Sequence, residues 1–190
     1  MQFTKIGGNS ADSESQSVFL RSRNLLPDTE PAAVKWEMLP RTGGDGLKAI
    51  CGHASQEGNI IEMNATAGHY YAVARSFCGY MTAWQTSDHG DHWTPPGYAK
   101  YDLSGPRPPA NYAQGLQHPN GPLCPRHLQL LPTGGERRFL MLFYNTGWQD
   151  DPDPAHSHGR TTYWLSAGRV YNGSVVWSQP EIAFYSLQQL

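Results

Sequence analysis

One stretch limits this chain more than any other: Thr86-Ser87-Asp88-His89-Gly90-Asp91-His92-Trp93, which has the form T-x-D-x-G-x-x-W. Each fixed residue has a local physical task. The Asp88 carboxylate can accept hydrogen bonds from the backbone N–H groups of a tight turn and from the Thr86 hydroxyl. Gly90 can take the positive φ that such a turn demands. Trp93 is large enough to plug the turn against the sheet behind it. The segment therefore predicts a hairpin turn between two strands, with Asp88 as a folding residue and not a catalytic acid.

Composition agrees with a chain built from turns. Among 190 residues there are 20 Gly and 15 Pro, and 12% of the residues are aromatic. That balance favours short strands over long helices. The length suffices for a domain with a real core. A formal net charge of −2 gives no reason to expect nucleic acid or an anionic membrane as partner. No apolar run approaches the roughly 20 residues of a membrane helix. The N-terminal residues lack an apolar h-region and do not read as a secretory signal, so the compartment stays open. Cys51, Cys78 and Cys124 form neither a CxxC pair nor an even set, so no disulfide framework is expected. Asn64-Ala65-Thr66 and Asn172-Gly173-Ser174 match the glycosylation acceptor pattern, which matters only for an exported chain.

Residues 1–17 are polar and Ser-rich and read as a disordered tail, leaving 18–190 as the folded part. Alternating or short apolar runs predict strands at 46–52, 59–63, 70–75, 82–86, 127–131, 139–144, 161–167 and 174–177. Residues 31–36 suit a short helix or turn. Residues 95–125 and 150–159 read as loops. An internal echo joins two parts of this pattern. Trp93-Thr-Pro-Pro-Gly-Tyr-Ala-Lys-Tyr101 and Trp177-Ser-Gln-Pro-Glu-Ile-Ala-Phe-Tyr185 share W-[ST]-x-P-x-x-A-x-Y, 84 positions apart (93 to 177). Arg75 and Arg160 stand at nearly the same offset. This predicts a repeated supersecondary unit of about four strands, enlarged by its loops.

These pieces, taken in order, resemble bacterial sialidase-family proteins with neuraminidase repeats. The carriers are Phe19-Leu-Arg-Ser-Arg-Asn-Leu-Leu-Pro-Asp28, Gln56-Glu-Gly-Asn-Ile60, Tyr71-Ala-Val-Ala-Arg75, the 86–93 segment as an Asp box, Gly121-Pro-Leu-Cys-Pro-Arg126, Phe139-Leu-Met-Leu-Phe-Tyr-Asn145 and Trp177-Ser-Gln-Pro-Glu-Ile182. The resemblance implies an all-β, six-bladed propeller with a glycan site at the mouth of its channel. Family members are about twice as long, so this chain would hold two to four blades. That implies a fragment or truncated product whose open edges invite self-association. The chain departs from the family where Gly58 replaces a frequent Pro, and where His92 replaces the usual Thr, costing the box one hydroxyl.

The resemblance also assigns chemistry. Sialidases grip the carboxylate of an acidic sugar with arginines, whose planar fork makes two parallel charge-assisted bonds. Arg75, Arg126 and Arg160 are the candidates here. Glu57 is the best local carboxylate for acid/base work or hydroxyl binding, with an ordinary turn glutamate as the alternative. The family's tyrosine nucleophile has no counterpart that can be placed; Tyr144 and Tyr163 read as strand residues. His156 and His158, with Asp150, Asp151 and Asp153, lie on one loop and lack the fixed geometry of a metal site. No metal or cofactor is expected. The implied function is a sialidase-like glycoside hydrolase, or part of one, acting on terminal acidic sugars of glycoconjugates. The alternatives are a non-catalytic glycan- or protein-binding module, or an inactive truncated product.

Overall fold

Residues 71–74 are apolar without interruption, and a strand reads that way only when both of its faces are covered. The architecture supplies both covers. A computed structural model describes residues 2–5, 15–41, 45–51, 55–64, 67–76, 80–101, 123–128, 137–144 and 162–185. Thirteen strands lie within these residues: β1 (Gln2–Lys5), β2 (Gln16–Arg21), β3 (Glu37–Leu39), β4 (Ser55–Asn64), β5 (His69–Ser76), β6 (Thr82–Thr86), β7 (Gly97–Tyr98), β8 (Lys100–Tyr101), β9 (Leu123–Leu128), β10 (Arg138–Tyr144), β11 (Thr162–Tyr171), β12 (Ser174–Trp177) and β13 (Glu181–Tyr185). The one helical turn among the described residues is a 3-10 turn at Pro31–Ala33. The chain is all-β.

The strands form three open sheets. The first has the order β1-β2-β3, the second β4-β5-β6-β7, and the third β8-β12-β11-β10-β9, with β13 also on β11. Pairing is antiparallel except for β12 with β8. The second sheet lies between the other two. On one side Tyr71, Val73, Ala83, Ile61 and Met63 pack against Phe139, Met141, Phe143, Val175 and Trp177 of the third sheet. On the other, Ala72, Ala74 and Trp84 meet Phe19, Leu39 and Leu47. Residues alternate between faces along a strand, so β5 contributes to both cores at once. The backbones of the sheets come together along β1, β2, β4 and β9. Trp84 and Trp177 lie in the cores away from that line and are almost wholly buried.

The echo in the sequence is an echo in the structure. The Thr94 N–H donates to the Gln85 carbonyl at 2.8 Å, and the Gln85 N–H donates to the Thr94 hydroxyl at 3.0 Å. In the same way the Ser178 N–H donates to the Ala167 carbonyl at 2.7 Å, and the Ala167 N–H donates to the Ser178 hydroxyl at 3.0 Å. Gly97 then lies opposite Ala83, as Glu181 lies opposite Leu165. The two turns differ in length by two residues, since Gln85 and Thr94 are 9 apart and Ala167 and Ser178 are 11 apart. Register therefore matches Tyr71, Val73 and Ala83 with Leu140, Leu142 and Leu165.

Several expectations need correction. Residues 2–5 and 16–17 fall in the stretch read as a disordered tail, yet they lie in β1 and β2, paired with each other. Of the strand expected at 46–52, the described residues 46–51 form none; within them Leu47 alone bridges Ser17, in both directions at 3.1 and 2.8 Å. The strand expected at 127–131 begins earlier, at Leu123, and contains Pro125. A proline is tolerated there because β9 ends its sheet. Cys51 is disulfide-bonded, against the expectation of no bridge.

Candidate functional site

The box turn follows β6. The Thr86 hydroxyl donates to Asp88 Oδ1 at 2.7 Å and accepts from the N–H groups of Asp88 at 3.3 Å and Gly90 at 3.1 Å. Asp88 Oδ1 also accepts from the His92 N–H at 3.0 Å. The His92 side chain joins the same carboxylate: its Nδ1 lies 2.6 Å from Asp88 Oδ2. Burial pushes the Asp88 pKa up, but the bonds from His92 and Thr86 outweigh it and hold the carboxyl below its usual range. Gly90 has φ of 93°. A Cβ there would lie 2.8 Å from the Leu39 side chain. Its carbonyl accepts from the Trp93 indole at 2.9 Å, and Trp93 stacks on Phe19 with ring centroids 5.4 Å apart. Thr86, Asp88, Gly90 and Trp93 thus act together as a structural unit.

Beside the turn lies a cluster that sequence reasoning missed. Arg21 donates to Glu37 Oε2 at 2.6 Å, to Asp91 Oδ1 at 2.7 Å and to the His89 carbonyl at 2.6 Å. Arg23 and Arg41 each approach the same two carboxylates, the closest contact being Arg41 to Glu37 at 2.8 Å. The Arg21 bond lowers the Glu37 pKa to about 2, against some desolvation and with help from Arg41. Three guanidinium groups here converge on carboxylates, but the carboxylates are the protein's own. The cluster ties the first sheet to the box turn. The only sequence signal for it was Arg21 lying two residues from Phe19, on the same strand face.

The other end of the second sheet holds two of the predicted site residues together. Arg75, near the end of β5, donates to Glu57 Oε1 at 3.2 Å. The Arg75 side chain is 13% exposed and that of Glu57 46%. Glu57 owes its position to a bulge in β4, where the register shifts between Gln56 and Asn59. Its φ is 49°, a left-handed conformation that a glutamate adopts only under constraint. The constraint is visible in the next residue: a Cβ on the buried Gly58 would come within 2.9 Å of the Ser17 hydroxyl. The Gln56 side chain donates to Ser15 at 2.9 Å, and the Asn59 amide to the Glu57 carbonyl at 3.0 Å. A bulge that re-aims a side chain, and a strained residue, are both typical of functional sites. Thr86 pairs with Tyr70, at the opposite end of β5. At about 3.3 Å per residue, the Arg75 end is roughly 17 Å from the box end.

Arg126 lies in β9 opposite Leu140, and β9 runs beside β4. Arg160 lies outside the described residues, as do His156 and His158. The register match assigns Tyr144, not Arg160, to the position of Arg75 in the second unit. Among the described residues no group of three His, Cys, Asp or Glu is arranged to hold a metal ion, and no helix is long and apolar enough to cross a membrane. No protein-family model, curated protein or solved structure matches the chain.

Proposed function

We propose that this chain is a sialidase-like propeller unit that binds the carboxylate of a terminal acidic sugar at the Glu57–Arg75 end of its central sheet. The observation that carries the reading is the pair itself: a largely buried guanidinium held by a half-exposed, strained glutamate at a strand end. Arg75 supplies the charge and the planar fork for a sugar carboxylate. Glu57 orients that fork and offers an acceptor oxygen to a sugar hydroxyl. A four-stranded antiparallel meander such as β4-β5-β6-β7 is the form a propeller blade takes, and two such units in one register support a repeated-blade architecture. Arg126 and Arg160 remain the further arginines of this reading.

Binding without turnover is the second reading, and Tyr71 favours it. That tyrosine is engaged with the Trp177 indole, and burial pushes its pKa well up, which removes it as a nucleophile. The test is titration of the chain with N-acetylneuraminic acid by calorimetry, beside hydrolysis of a fluorogenic sialoside. Wild type should bind, and Arg75→Ala should weaken binding by about tenfold or more through loss of a charge-assisted pair. Equal binding by wild type and Arg75→Ala would remove the pair from the site. Turnover would select the hydrolase reading, and binding without turnover the module.

A further inference from the structure

Glu57 stands on a knot of buried serines. Ser15, Ser17 and Ser55 are almost wholly buried. The Ser55 hydroxyl donates to the Leu47 carbonyl and accepts from the Ser17 N–H at 3.0 Å, with the Ser17 hydroxyl also 3.0 Å away. The Ser55 N–H donates to the Ser15 carbonyl at 2.9 Å. Ser55 lies opposite Ser76 and Gln56 opposite Arg75, so the knot adjoins the Glu57–Arg75 pair. Glu57 is thus set between Gln56, bonded to Ser15, and Gly58, packed on Ser17. A shift of the knot moves the bulge, because close-packed buried groups transmit strain.

The bond from Ser55 to Leu47 closes residues 47–55 into a loop, and Cys51 stands midway, four residues from each end. Cys51 is disulfide-bonded and exposed. The other cysteines of the chain are Cys78 and Cys124, so one of these is its partner. Cys78 follows Arg75 by three residues in the sequence. Cys124 lies opposite Leu142, two residues before Tyr144, the register counterpart of Arg75. Either pairing ties the loop close to the sheet end that carries Arg75 or its counterpart. The loop is held at its base by hydrogen bonds and at its middle by one covalent bond. Exposed disulfides are the labile ones in thiol exchange, and regulatory disulfides are drawn from them.

We infer that the Cys51 disulfide is a redox latch on the Glu57–Arg75 site. A dithiol gives up two electrons and two protons, closes to a disulfide itself, and leaves two thiols where the S–S bond of the chain was. The loop then opens, the serine knot loosens and Glu57 leaves Arg75. The effect on ligand rests on the sugar-binding reading above; the opening does not. The test is amide hydrogen exchange, with calorimetric titration by N-acetylneuraminic acid, on the whole chain before and after dithiothreitol. Reduction should speed exchange at Ser17, Leu47 and Ser55 by about tenfold or more, leave Ala72 and Val73 unchanged, and weaken sugar binding by about tenfold. Cys51→Ser should match the reduced chain with or without reductant; if that variant does not fold, reduction of wild type carries the test alone. Unchanged exchange on reduction overturns the latch. So does faster exchange throughout β5, which would make the bridge a general staple, and so do three free thiols in the unreduced chain. Faster exchange with equal sugar binding in both states overturns the regulation. Faster exchange at the knot with no sugar binding in either state supports the latch and refutes the sugar reading instead.

Discussion

Gly168 and Trp177 give the sharpest energetic test of the packing. Trp177 is fully buried, and Gly168 is its register partner across β11 and β12. A Cβ at position 168 would lie 2.6 and 2.7 Å from two carbons of the Trp177 ring. Ordinary carbon contacts are about 3.5–4.0 Å, so the ring must give by roughly 1 Å. It is hemmed in by Tyr71, whose ring centroid is 6.4 Å away, and cannot give freely. Overpacking of this kind costs about 1–3 kcal/mol, against about 0.5–1 kcal/mol gained by replacing a strand glycine with alanine. Gly168→Ala should therefore destabilise by about 2 kcal/mol, lowering Tm by about 4–8 °C for a chain of this size. Trp177→Leu alone should cost about 2–4 kcal/mol by opening a cavity. In that background the clash is gone, and Gly168→Ala should be neutral or slightly stabilising. Urea unfolding followed by circular dichroism on all four proteins gives the coupling, expected at about 2–3 kcal/mol. Additivity within about 0.5 kcal/mol would refute the reasoning, because it would mean that the ring does not lie over residue 168.

Other predictions follow from the box and its neighbours. Thr86→Val removes one donor bond and two acceptor bonds and should cost about 2–3 kcal/mol in thermal or urea unfolding; no measurable loss would separate the hydroxyl from turn stability. Glu37 and Asp88 are held below their unfolded values, so the stability they contribute is present above ordinary carboxylate pH and is lost as pH falls. For Glu37 the window runs from 4.5 down to about 2. Glu37→Gln should flatten the fall in Tm between these values, and an unchanged slope would count against the cluster. Arg21→Met should bring the Glu37 titration back toward 4.5 in an NMR pH series; a Glu37 pKa still near 2 would mean that Arg41 alone sets it.

How much could be read in advance depended on whether the cause was local. The 86–93 turn was legible because the bonds among Thr86, Asp88, Gly90, His92 and Trp93 run between residues at most four apart, so the pattern holds these partners. The strand at 82–86 was legible to the residue, and the echo at 93 and 177 was legible because one local arrangement, a hydroxyl on the opposite N–H, recurs. Arg21 was not legible: its partners Glu37 and Asp91 are 16 and 70 residues away. The same holds for β1, whose place comes from pairing with β2 and not from its own polar sequence. Pro125 hid the start of β9 because a proline rules out central strands but not edges. At the Glu57 bulge the residue types were visible, but not the left-handed backbone that turns Glu57 toward Arg75.

On the proposed reading, two arginine-carboxylate sites at opposite ends of the central sheet serve stability and binding in turn. At the box end both terminal nitrogens of Arg21 are engaged by two internal carboxylates and a carbonyl, which hold sheet one to the turn. At the far end Arg75 donates to Glu57, which is half-exposed and set on a bulge. Internal pairing of the first kind leaves a ligand little to gain, because an incoming anion would have to displace two carboxylates already bonded to the guanidinium. The second kind leaves its glutamate in contact with water, so a sugar hydroxyl reaching that carboxylate displaces solvent. This difference makes a joint prediction. Arg21→Met should lower Tm and leave N-acetylneuraminic acid binding by the folded fraction unchanged. Arg75→Lys should keep the charge but lose the planar fork, weakening binding about tenfold with little change in Tm. Calorimetric titration and a melt on both variants suffice to check it. If Arg21→Met abolished binding in a folded chain, or Arg75→Lys lowered Tm while sparing the sugar, the division of the sheet into a structural end and a binding end would be wrong.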